Sequence, residues 1–99
     1  MKTRMKPEAR KEDILAAAVP LAIAAGYKSL TRDQVAAAAK ISGPTLHYHF
    51  GTMEKFRKEM MRYAVKSGVL QIIAQGIVAN DPQALKLSDV ERKAALASF

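Results

Sequence analysis

Cysteine and tryptophan are both missing from the 99 residues, and only six side chains are aromatic. Without thiols there is no disulfide framework, no thiolate nucleophile and no cysteine-based zinc site, so the fold must hold by packing alone. A reducing, cytoplasmic setting suits such a chain. No apolar run reaches the roughly 18 residues of a membrane span, so no membrane partner is expected. Acidic residues are scarce: nine Asp and Glu stand against sixteen Lys and Arg, leaving a net charge of +7. That balance points to a polyanionic partner. No general acid/base pair, nucleophile constellation or Gly-rich phosphate loop is present, so the chain is not expected to be an enzyme or to hold a cofactor. Nor is there an alternating run bounded by turns, or a repeat with a period of roughly 20 to 50 residues, which excludes a sheet and a solenoid. The class that remains is all-α.

A chain of this length can bury roughly 60 to 70% of the surface its unfolded form exposes, enough for one modest core. Its charge is unevenly spread. Residues 1 to 63 hold twelve basic and six acidic side chains, whereas residues 64 to 99 hold four and three. A basic head thus precedes a nearly neutral, apolar tail, and the two are expected to do different jobs. Lys2, Arg4 and Lys6 ahead of the apolar run Ile14 to Ala25 imitate a secretory signal. The acidic Glu8, Glu12 and Asp13 before the run, and Pro20 inside it, argue against a secreted basic peptide.

Residues 1 to 7 read as a flexible basic arm. Pro7 then suits a first helical turn, and Ile14, Ala18, Leu21 and Ala25 recur at helical spacing, predicting a helix over 8 to 25 that Gly26 stops. Pro20 removes the hydrogen bond to the Ala16 carbonyl and should bend this helix without breaking it. Thr31 to Gln34 has the form of a capping box and opens a second helix over 32 to 39. After Lys40 and Ile41, Ser42 is a good cap for a third over 43 to 50, with Pro44 in its first turn. Gly51 ends that helix and Thr52 caps a fourth, whose inward stripe is Phe56, Met60 and Tyr63 or Ala64. A break at Ser67 and Gly68 is followed by a broad apolar stripe of Val69, Ile72, Ile73, Gly76 and Ile77. The turn Asn80, Asp81, Pro82 leads to a short helical piece through Leu87. Ser88 to Glu91, a second capping box, opens a last helix with Val90, Ala94 and Ala97 on one face.

Two short helices joined by a three-residue turn and braced by a longer one are the plan of a helix-turn-helix. At about 100° per residue, Leu46 and Phe50 share the inner face of the third helix, and Pro44 and Tyr48 lie opposite, flanked by Thr45 and His47. The outer edge therefore carries an imidazole, a phenol, a hydroxyl and the open N–H groups of a helix start, all able to donate to phosphate oxygens. Such a helix enters the major groove end-on, so Gly43, Pro44, Thr45 and His47 are expected at base edges. Lys28, Thr31 and Arg32, at the entrance of the second helix, are expected at phosphates. The arm residues Lys2, Arg4 and Lys6 suit a minor groove or the backbone. His47 and His49 diverge by about 200° and have no acidic helper one turn away, so no metal site is expected.

The stretch ILAAAVPLAIAAGYKSLTRDQVAAAAKISGPTLHYHFGTMEKF, residues 14 to 56, resembles the N-terminal DNA-binding domain of the TetR family of bacterial repressors. The resemblance rests on Ile14 to Ala18, Gly26-Tyr27, Thr31 and above all the run from Ser42 to Phe56. It implies double-stranded DNA as partner, with Tyr48 and His49 at the phosphate backbone. His47 stands where the family usually has Tyr, Lys40 where it has Gly, and Met53 where it often has a phosphate-holding Lys, a role Lys55 can take over. The family also carries a longer helical domain that binds an inducer. Here about forty residues follow the motif, enough for a dimer interface but not for a cavity of roughly 300 Å³, so no small-molecule effector is expected.

The chain is thus expected to divide into an arm (1–7), a helix-turn-helix domain (8–66) and a dimerisation segment (67–99), with Val69, Ile72, Ile73 and Ile77 at the dimer interface. The alternative for that stripe is the core of a monomer. The expected role is a homodimeric regulator, a repressor on a palindromic operator, in the bacterial cytoplasm at the nucleoid. A protein-interaction module of anti-repressor type, using the same helices, is the alternative.

Overall fold

The computed structural model describes residues 7–98, and the arm residues Lys2, Arg4 and Lys6 lie outside the described residues. Among the described residues seven α-helices follow one another: α1 (Pro7–Ala25), α2 (Arg32–Ala39), α3 (Gly43–Phe50), α4 (Met53–Ser67), α5 (Leu70–Val78), α6 (Pro82–Leu85) and α7 (Asp89–Ala97). Five of these starts are capped by a side chain. Thr31, Ser42, Thr52, Asp81 and Ser88 accept hydrogen bonds through their side chains from Gln34, Thr45, Lys55, Gln83 and Glu91 amides, each cap contributing about 1 kcal/mol. Both anticipated capping boxes are closed, at Thr31/Gln34 and Ser88/Glu91.

α1 runs on through Pro20. Ala16 and Pro20, one turn apart, are both exposed, so the carbonyl that lacks its amide partner lies on the side of water. Gly26 then turns the chain with φ 93° into a single 3₁₀ turn, Tyr27–Ser29, that the sequence pattern did not announce. Lys40 ends α2 in the left-handed conformation, φ 59°, which explains why a glycine would fit there better.

One core cluster spans the described residues from Ile14 to Ala95. Ile14, Ala18 and Ala22 of α1, Leu30, Val35, Leu46, Phe50, Phe56, Met60, Met61 and Ala64 are all buried. Phe50 and Phe56 meet edge to face at 4.9 Å between ring centroids, and complete burial of a side chain such as Phe56 is worth about 1.5–3 kcal/mol. The stripe on α1 is rotated from the expected one, with Leu15 and Ala22 buried, Leu21 half-buried and Ala25 exposed.

The C-terminal helices correct a second expectation. Ile72 and Ile73, assigned to a dimer interface, are 0% and 3% exposed within the single chain. The reason is that α5 is covered by α1, α4, α6 and α7, so its apolar stripe is already used. Val69 and Ile77 are half-buried against the same core. Gly76 is buried where α5 presses on its neighbours: a Cβ there would stand 2.9 Å from Ala84 Cβ and 3.2 Å from Met61 Sδ. On α7, Val90, Ala94 and Ala97 do share one face, and it is the outward one. Val90 is 77% exposed and the buried residue is Ala95.

Side-chain hydrogen bonds tie the halves together. The Gln75 amide donates to Ala22 O at 2.9 Å and accepts from Tyr27 N at 2.8 Å. Gln83 Nε2 donates to Lys58 O at 3.0 Å, and Arg57 Nη2 to Leu30 O at 3.0 Å. Between α4 and the α5–α6 turn lies an open cleft of about 570 Å³, more concave surface than forty residues were expected to form. No helix among the described residues is long and apolar enough to cross a membrane.

Candidate nucleic-acid interface

α3 is anchored from behind. Leu46 and Phe50 are 2% and 5% exposed, whereas Tyr48 is 83% exposed, and His47 and Pro44 are also exposed. The outward edge therefore has the composition its periodicity predicts. Its start is built by Ser42, whose Oγ accepts from Thr45 N at 3.1 Å and lies 2.8 Å from Thr45 Oγ1. That contact ties the hydroxyl of the half-buried Thr45 to the cap of its own helix.

The starts of α2 and α3 converge. Gly43 lies against the Arg32 stem, a Cβ placed on it standing in ordinary contact at 3.5 Å from Arg32 Cδ. Thr31 and Arg32 are both exposed beside it. At the other end of α3, Gly51 lies under Lys55, with Cβ-to-Nζ spacing of 4.0 Å for a side chain placed on Gly51. Lys55 is exposed, whereas Met53 is half-buried and packs against the core. The cation at the start of α4 is thus Lys55, and Met53 is a packing residue. Lys28 is exposed on the 3₁₀ turn and lines the cleft beside α4.

His49 is half-buried at the rim of α3, its ring edge-on to Tyr48 at 5.3 Å. Its pKa is lowered from the ordinary imidazole value by burial, then by the positive charges of Arg10 and Lys11. Those two cations were not among the residues singled out from sequence. Each precedes a buried α1 residue by one turn, Arg10 before Ile14 and Lys11 before Leu15, and that spacing is the signal that places them against the inner helices. Lys11 stands 5.4 Å from the Phe50 ring centroid and pairs with Glu59 at 3.4 Å.

Thr31, Arg32, Gly43, Pro44, Thr45, His47, Tyr48 and Lys55 therefore belong to the two short helices and the junction that follows them. Hydroxyl, imidazole and cationic donors dominate this edge, and no group of three or more metal-binding side chains occurs among the described residues. Residues 14–60 match the family model of bacterial regulatory proteins of the tetR family. No curated protein and no solved structure matches the chain.

Proposed function

The chain belongs, through residues 14–60, to the tetR family of bacterial regulatory proteins, DNA-binding transcriptional regulators, and from that premise we propose that it acts as a homodimeric repressor on a palindromic operator. The observation that carries this reading is the two-sidedness of α3, with Leu46 and Phe50 buried and Tyr48 almost fully exposed. The exposed Tyr48 phenol is free to donate to a phosphate oxygen. In the proposed complex Gly43, Pro44, Thr45 and His47 approach base edges. Thr31, Arg32, Tyr48, His49 and Lys55 hold phosphates, with Lys28 and the arm residues Lys2, Arg4 and Lys6 extending the backbone contacts. No catalytic role is proposed.

A single helix-turn-helix touches too few bases for useful specificity, and two copies on a dyad match a palindrome. With Ile72 and Ile73 buried in the chain's own core, the dimer contact proposed is the outward face of α7, Val90, Ala94 and Ala97. The residues up to 66 read DNA and residues 67–99 bring the second copy. A protein that works on operators works in the cytoplasm. Selection from a random duplex pool with purified protein tests the reading. A two-fold motif with fixed spacing is expected, and absence of any shift on duplex DNA would instead support a protein-interaction module.

A further inference from the structure

α4 carries a row of cations of which the helix-turn-helix edge uses only the first. At about 100° per residue, Lys55, Lys58, Arg62 and Lys66 fall within a sector of about 80° on this helix, and all four are exposed. The buried Phe56, Met60, Met61 and Ala64 lie opposite. Lys86, also exposed, widens the row, because it lines one hollow with Arg62 and Lys66. Carboxylates do not neutralise these charges. Among the described residues, ion pairs occur at Lys11–Glu59, Lys66–Glu12 and Arg92–Asp89, so Lys58, Arg62 and Lys86 have no carboxylate within ion-pair distance. Glu54, one turn before Lys58, stands outside that distance as well. Like charges one turn apart weaken a helix, so the stability of α4 does not account for Lys58, Arg62 and Lys66 in succession.

We propose, on the DNA-binding reading above, that this row is a track for the sugar-phosphate backbone of duplex DNA flanking the operator. The protein then covers more DNA than the bases α3 reads. Continuity favours DNA over an acidic protein, since the row begins at Lys55, which lies against Gly51 at the end of α3 and is already placed at a phosphate. Lys28, placed at a phosphate too, shares a hollow with Lys58 and Arg62. Length agrees. From Lys55 to Lys66 the helix rises about 16 Å, which corresponds to about five phosphates of one strand at roughly 3.4 Å each along the duplex axis. Phosphate contacts carry no sequence information directly, so a flank of any sequence serves.

The test compares the selected two-fold motif as a minimal duplex with the same motif extended on both sides by arbitrary sequence, each titrated over a range of salt concentrations. For the wild type the flanks should raise affinity about tenfold and steepen the fall of log K with log salt by about 2–3 per protomer, at roughly 0.9 for each phosphate neutralised. The triple variant Lys58→Gln, Arg62→Gln, Lys86→Gln should lose that increment while binding the minimal duplex as the wild type does and keeping its helicity by circular dichroism. Lys93→Gln, an exposed cation on α7, should keep the increment, which separates the row from net charge. Flanks that add nothing to wild-type binding, a triple variant that keeps their gain, or an equal loss on both duplexes overturns the proposal. Binding to the minimal motif without any effect of flanks leaves the operator reading intact. If selection yields no motif, the operator reading fails and the row is judged on arbitrary duplexes of increasing length: a salt dependence that is shallower in the triple variant supports it, and an unchanged one overturns it.

Discussion

The Tyr27 hydroxyl donates to Asp81 Oδ2 at 2.7 Å, joining side chains 54 positions apart in sequence. Tyr27 is 2% exposed, and the same carboxylate caps α6 through Gln83 N. One phenol thus pins the turn after α5 to the turn after α1.

Tyr27→Phe keeps the ring and removes this charge-assisted bond, so it should cost about 1.5–3 kcal/mol, read as a lower urea midpoint. Burial first, then the bond and the charge of Asp81, push the Tyr27 pKa far above the ordinary phenol value. A pKa raised on folding stabilises fully below the unfolded pKa and is lost as pH rises. Wild-type stability should therefore fall above about pH 10, and Tyr27→Phe should lose that part of the decline. An unchanged alkaline limb in the variant would contradict the assignment.

Lys40 holds a positive φ of 59° without being glycine. Lys40→Gly relieves a strain of about 1 kcal/mol, and thermal unfolding should shift upward accordingly. A lower midpoint would mean that the lysine side chain contributes something the backbone angle does not reveal.

For DNA recognition, Thr45→Ala should lose about 1–3 kcal/mol on the selected operator and relax base preference, whereas Tyr48→Phe should weaken all sequences alike. Equal effects of both on every duplex would remove Thr45 from the base-reading set.

In the proposed complex, His49 should make duplex affinity depend on pH. Its lowered pKa in the free protein comes from burial and from Arg10 and Lys11. Phosphates near it favour the charged imidazole, so binding takes up a proton and should tighten as pH falls below about 6.5. His49→Gln should flatten that slope in fluorescence anisotropy titrations. The same depressed pKa makes the folded state less favoured in acid, since protonation through the folded pKa sacrifices the stability present above the unfolded one.

Val90→Glu tests the proposed dimer face. At 77% exposure the substitution is tolerated by the monomer, so helicity by circular dichroism should be kept while sedimentation shows monomers and operator affinity drops. A dimer that survives the change would move the contact elsewhere, with Val78, Leu85 and Leu96 as the other exposed apolar side chains in the C-terminal helices.

Helix ends were legible because they are local. Thr31, Ser42, Thr52 and Ser88 carry their caps within three residues, and no tertiary contact is needed to read them. The outward edge of α3 was legible for a similar reason, since Leu46 and Phe50 fix its rotation. What α5 packs against was not legible, because an apolar stripe records only that something covers it. The cover turned out to be the chain's own α1, α4, α6 and α7. Arg57 was equally hidden: its partner, Leu30 O, is a backbone atom 27 positions away, which no side-chain pattern announces.

Gln75 reaches both the Ala22 carbonyl and the Tyr27 amide, spending one amide group on the last turn of α1 and on the turn that follows. The helix-turn-helix and the C-terminal helices consequently share one clasp whose opening breaks both bonds, and hydrogen exchange at the Tyr27 amide should report their melting as one event.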